Sequence, residues 1–191
     1  FFHKGDYTNT FARKMETPKA RAQYMWYNDE MPYTLENSIR ADIAGQVLDM
    51  IYLKKIREEA SAAYSVSAIG RAQLREDKTH SMMLYAVCPM KPEKRQEAVS
   101  ILEQEVKDLA NTCDASMVAK IKELMLKQAD DAVKSNGYWY NVIEMYDKYG
   151  IDSHSDYKKL IEAQTPETIC SFMKEFNKNG NRLGVIMLPA E

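Results

Sequence analysis

A chain of 191 residues, 45% hydrophobic and 28% charged, has the makeup of one globular domain with a full core, which excludes a disordered segment and a small disulfide scaffold. The formal net charge of −2 arises from 26 basic and 28 acidic residues mixed along the chain, so no concentrated basic face is offered to nucleic acid. No apolar run reaches membrane-spanning length, and Cys88, Cys113 and Cys170 are isolated thiols, odd in number and without metal-ligand spacing, which read as small buried hydrophobes.

The chain opens at Phe1-Phe2-His3 without a starting Met, as expected of a fragment of a longer protein. Residues 1–10 read as a linker or frayed edge, and a single domain is expected over 11–191. Ala20, Ala22, Tyr24 and Trp26 alternate with Arg21, Gln23, Met25 and Tyr27, which is the period of a strand with one buried face. Asn28-Asp29-Glu30 and Pro32 break it. Thr34 then caps a helix whose apolar positions Ile39, Ile43, Val47, Leu48, Met50 and Ile51 recur at helical spacing, and this helix delivers Arg57 to its end.

A hairpin is expected next, with one strand from Tyr64 to about Leu74, a polar turn at Arg75-Glu76-Asp77-Lys78, and a second strand from Ser81 to Cys88. Pro89 and Pro92 should end that strand and start a helix with Val99, Leu102, Val106 and Leu109 on one stripe. Asp114 or Ser116 begins another helix, with Val118, Ile121, Met125 and Ala129 on a common face. Asn136-Gly137 interrupts, and Tyr138 to Tyr149 forms a helix ended by Gly150. A short helix over Tyr157 to Ala163 follows. Thr165-Pro166 opens a last helix through Ile169, Phe172, Met173 and Phe176, and Leu183 to Leu188 makes a final strand. The order predicts an α+β fold with a mainly antiparallel mixed sheet and helices packed on one face.

The junction between the first helix and the hairpin carries the chemistry of interest. Arg57 offers five fixed donors and a permanent charge, and Tyr64 adds a phenolic donor. Converging on one point, the two would suit a peptide carbonyl oxygen, and suit it better once that oxygen gains charge in a tetrahedral intermediate. The plain alternative is that Arg57 pairs with a carboxylate or with the helix C-terminal carbonyls, while Tyr64 is an ordinary strand residue. Glu58 and Glu59 point in different directions on a helix and read as solvated charges or as an ion-pair partner for Arg57.

Arg57-Glu58-Glu59, the small residues after it, and Tyr64-Ser65-Val66 resemble the motif in the C-terminal, non-zinc half of the insulinase (pitrilysin) family of zinc peptidases. Thr17-Pro18-Lys19-Ala20, Tyr33-Thr34-Leu35-Glu36-Asn37, and Asn136-Gly137-Tyr138-Trp139-Tyr140-Asn141 followed by Gly150-Ile151-Asp152 agree with it. They occur in the order expected of the last domain of the long bacterial members, and the resemblance covers nearly the whole chain, from about Phe11 to Pro189. The resemblance implies a domain that walls a substrate chamber, with Arg57 and Tyr64 contacting the peptide backbone and the oxyanion. It implies that zinc sits in the N-terminal half of a parent protein, on an H-x-x-E-H helix that this chain lacks. The implied partners are that zinc-bearing half, in the same chain or another subunit, and a peptide substrate. A periplasmic site is implied only for a parent from a Gram-negative bacterium. The alternative is a catalytically silent assembly or peptide-binding domain of the same fold.

One departure stands out: Ser61, Ala62 and Ala63 occupy the turn where family members usually have a glycine, so a positive φ there would be costlier. His3, His80 and His154 are far apart and give no metal shell, so no zinc or other cofactor is expected in this chain. No G-x-S-x-G elbow and no glycine-rich phosphate loop is present. Tyr138, Trp139, Tyr140, Tyr146 and Tyr149 form a dense aromatic group for which core packing is the default reading. A chamber or domain-contact surface is the other.

Overall fold

The computed structural model describes residues 3–190. Five strands form one sheet in the order β1-β5-β2-β4-β3, where β1 is Asp6–Arg13, β2 Ala20–Asn28, β3 Ser67–Leu74, β4 His80–Met90 and β5 Asn181–Pro189. Only the β1–β5 pair is parallel; the others are antiparallel. The helices are α1 Leu35–Tyr52, α2 Arg95–Asp108, α3 Ala115–Ala132, α4 Asn136–Tyr149, α5 Tyr157–Glu162 and α6 Pro166–Lys178. The architecture is the expected α+β one.

Local signals explain most of these elements. Thr34 Oγ1 accepts from the Asn37 amide at 3.0 Å and starts α1. Asp114, rather than Ser116, caps α3, accepting from the Ser116 and Met117 amides at 2.7 and 3.2 Å. Thr165 and Thr168 close a capping box on α6 with Pro166 in its first turn. Gly150 ends α4 at φ 68°. On β2, Ala20, Ala22, Tyr24 and Trp26 are buried against the helices, and the register places Ala86, Cys88 and Ile186 beside them on the same face.

The closest approach in the core is between α1 and β3. A Cβ on Gly45 would fall on the Gly70 backbone, and one on Gly70 would fall on the Ala41 carbonyl, so two glycines let helix and strand touch main chain to main chain. The contact fixes the axis of α1, and with it the direction in which its C-terminus points.

The structure corrects four expectations. Residues 6–10 are not a linker: they pair in register with Arg182 through Ile186 as the first part of the edge strand β1, while Phe1 and Phe2 lie outside the described residues. Tyr64 is not in a strand. The β3–β4 ladder ends at Ser67–Val87, so nothing remains for Tyr64 to pair with. Pro89 does not end β4, because at that point β4 is paired only with β2 and a residue without an N–H is tolerated. Finally, α4 begins at Asn136, and none of its 14 residues is buried, so its aromatics are not core residues.

Candidate functional site

Beyond Tyr52 the helix does not stop but widens, and Leu53–Glu59 is π-helical, with the Ala60 amide donating to the Lys55 carbonyl at 3.0 Å. Such widened turns occur often at functional sites. Ile56 points inward and is fully buried, which leaves Arg57 on the outer side. Ser61 then takes the left-handed conformation, φ 49°, that lets the chain reverse. This is the positive φ that a glycine would adopt at lower cost.

Ala62 anchors the reversal. Its amide donates to the Ile56 carbonyl at 2.9 Å and its carbonyl accepts from the Lys91 amide at 3.0 Å, tying the helix end to the end of β4. Ala62, Ala63 and Val66 are buried. Tyr64 is held between them and is 87% exposed. Arg57, Ser61, Ala63, Tyr64 and Lys91 line one shallow open depression.

The two residues singled out by sequence therefore share a site. Among the described residues, neither the Arg57 guanidinium nor the Tyr64 hydroxyl has an intramolecular hydrogen-bond or ion-pair partner, and Glu58 and Glu59 are exposed without pairing to Arg57. Two unspent donors face solvent from a buried frame, which is the arrangement needed to receive an acceptor from outside. Lys91 adds a second cation that sequence reasoning missed, since it lies 27 positions beyond Tyr64 and only the β4 terminus brings it back. Lys55, on the same widened helical turn as Arg57, is instead tied to the buried Glu105 at 2.5 Å.

Other chemistries find no support in the arrangement. His3 is exposed, His80 begins β4, and His154 is hydrogen-bonded to the Tyr138 hydroxyl at 2.7 Å. No group of three His, Cys, Asp or Glu among the described residues could hold a metal ion, so the side chains present do not fit a zinc site. Burial pushes the thiols of Cys88 and Cys113 up to about 12, and that of Cys170 upward, which keeps all three protonated and poorly nucleophilic at neutral pH. No helix of the described residues is long and apolar enough to cross a membrane.

Comparison with known proteins adds the following. The family model described as the peptidase M16 inactive domain matches residues 6–125. No curated protein matches the sequence. Among solved structures, the chain superimposes on the ferredoxin protease FusC, solved as a mutant in complex with Arabidopsis ferredoxin, with a TM-score of 0.79 and 21% identity over 99% of this chain. The periplasmic protease PqqL from Escherichia coli gives 0.77 and 21% over 98%. A peptidase M16 inactive domain from Pseudomonas fluorescens gives 0.72 and 11% over 98% of this chain and 44% of that one. The chain spans 21% of the length of FusC and of PqqL.

Proposed function

This chain belongs to the M16 peptidase family as a domain of its inactive type, and from that premise we propose that it is the C-terminal, non-zinc-binding domain of a zinc metalloendopeptidase. Zinc and the base that activates water belong to another domain of the parent, and this chain supplies part of the chamber wall. Two comparisons support a position late in the parent. Against the full-length PqqL structure the chain matches 21% of the length at 0.77 and 21% identity, whereas the structure of its first half alone gives 0.69 and 12% identity, as expected if the better counterpart lies outside that half.

The observation that carries the reading is the pair of unpartnered donors, Arg57 and Tyr64, at one depression on a buried frame. In the proposed role both donate to the carbonyl oxygen of the scissile or an adjacent peptide. As the carbonyl carbon becomes tetrahedral its oxygen gains negative charge, and fixed donors already in place stabilise it without reorganising. Arg57 contributes charge, Tyr64 a directional O–H, and Lys91 a further positive potential that favours the charged state over the ground state. One such donor is worth about 3 kcal/mol in the transition state, or on the order of 10² to 10³ in kcat.

The test is made in the full-length parent with an unstructured peptide. Tyr64→Phe and Arg57→Ala are expected to lower kcat by about 10² or more with zinc content unchanged and with a smaller effect on KM. An unchanged kcat with weakened binding removes the oxyanion role, and full activity in both variants favours a catalytically silent assembly domain.

A further inference from the structure

Of the residues around the Arg57 and Tyr64 depression, Lys91 is the one whose charge exceeds what a peptide carbonyl requires. It stands one residue past β4, extended at φ −67° and ψ 134°, the conformation that Pro92 favours in the residue before it. Its amide donates to the Ala62 carbonyl at 3.0 Å and its carbonyl accepts from the Lys94 amide at 3.0 Å. Both main-chain groups are thus engaged, Met90 before it is buried, and the side chain starts from a fixed point on the frame that also holds Tyr64.

The surroundings hold two permanent cations and no anion. Arg57, Ser61, Ala63, Tyr64 and Lys91 line an opening of about 320 Å³, and none of the five is acidic. Among the described residues no carboxylate pairs with the Lys91 ammonium or the Arg57 guanidinium. Glu97 and Glu105 are taken by Lys94 and Lys55, while Glu58, Glu59 and Glu93 are exposed and do not line the opening.

An oxyanion accounts for only part of this charge. One oxygen, negative only during the reaction, is served by Arg57 and the Tyr64 hydroxyl. Before the reaction that oxygen is neutral, and a peptide lying across the opening takes both cations out of water with no anion to meet them. The cost falls most heavily on the ammonium, which is the more strongly hydrated of the two. A carboxylate on the peptide removes the penalty, accepting a charge-assisted bond from Lys91 while the carbonyl stays with Arg57 and Tyr64. Discrimination then comes as much from the penalty on a neutral side chain as from the gain on an acidic one.

We infer that Lys91 is a specificity-determining residue, selecting peptides that carry a carboxylate within about two residues of the bond cleaved, a reach set by the one opening the three side chains share. The carboxylate is that of an Asp or Glu side chain or of a free C-terminus. The inference rests on the reading of Arg57 and Tyr64 as the oxyanion pair and adds the substrate class to it. Once paired, Lys91 no longer lends its full charge to the oxyanion, so the advantage of an acidic peptide lies in KM rather than kcat.

The experiment uses the full-length parent and an unstructured peptide in matched versions, with Glu, Gln or Lys at each of the two positions on either side of the bond cleaved. Further versions end just beyond that bond as a free acid or an amide. The best Glu peptide, or the free acid, is expected to exceed its Gln or amide counterpart by about ten-fold in kcat/KM, mostly through KM. Lys91→Ala is expected to bring that ratio to within about two-fold, and Lys91→Glu to favour the Lys peptide, a gain that misfolding cannot produce. Support takes two forms: a preference borne by an internal Glu assigns the carboxylate to a side chain, and one borne by the free acid alone assigns it to the chain terminus. Equal cleavage of acidic and neutral versions by the unaltered protein overturns the inference, as does an acid preference that survives Lys91→Ala. Full turnover in Arg57→Ala and Tyr64→Phe would instead remove the oxyanion reading beneath it.

Discussion

The helices α1 and α4 are both well-formed, yet one buries eight of its 18 residues and the other none of its 14. α1 lies against β3 through paired glycines, sends the Tyr52 hydroxyl to the Leu102 carbonyl at 2.8 Å, and ends in the anchored turn that holds Arg57 and Tyr64. α4 keeps its large side chains outside. The contrast separates what this domain packs for itself from what it leaves outside: the first helix runs into the anchored turn that carries Arg57 and Tyr64, and the second keeps its aromatic residues exposed.

Substitutions can break or sharpen that contrast. The largest effect is expected from Gly70→Ala, whose added carbon overlaps the Ala41 carbonyl and forces α1 off the sheet. A loss of about 3 kcal/mol is expected, seen as a fall in Tm of roughly 6–12 °C. A Tm within 2 °C of the original would mean that the close approach does not hold α1, at a shift of about 2–4 °C per kcal/mol. Tyr52→Phe removes the buried hydroxyl's bond to the Leu102 carbonyl, which lies within α2 and keeps its helical partner, for an expected loss of about 1 kcal/mol by denaturant titration. No loss there would show that the hydroxyl is dispensable to the frame.

Ser61→Gly should act in the opposite direction. The left-handed φ costs an L-residue about 1 kcal/mol that glycine avoids, offset in part by the freer unfolded chain, so a gain of a few tenths to about 1 kcal/mol is expected. A destabilised variant would show that the serine side chain contributes something the backbone argument omits. The smallest effect belongs to α4: Tyr140→Ser with Tyr146→Ser should change the stability of this 191-residue chain by less than about 0.5 kcal/mol. A loss well above that, in thermal melts of the same chain, would place α4 inside the domain's own packing and erase the difference from α1.

Much of this was legible without coordinates, and the legible part is local. Thr34, Asp114 and Thr165-Pro166 start helices because their side chains or rings satisfy the first turn within three residues. The alternation from Ala20 to Trp26 states which face of β2 turns inward. Arg57 and Tyr64 are singled out in the sequence through a motif that resembles the family's, and the fold sets both along one depression.

What the tertiary structure alone decided depends on residues distant in the chain. Asp6–Arg13 is all exposed and has no alternating apolar pattern to announce it, and it is a strand because β5, some 175 positions later, offers a free edge. Lys91 joins the site because β4 returns it to Ala62. Helical spacing of aromatics in α4 says that they share a stripe but not what lies opposite. Capping and periodicity are interactions between near neighbours, fully written in order along the chain. Pairing, burial and exposure are fixed by which surfaces meet in space, and a sequence states them only once the fold has chosen the neighbours.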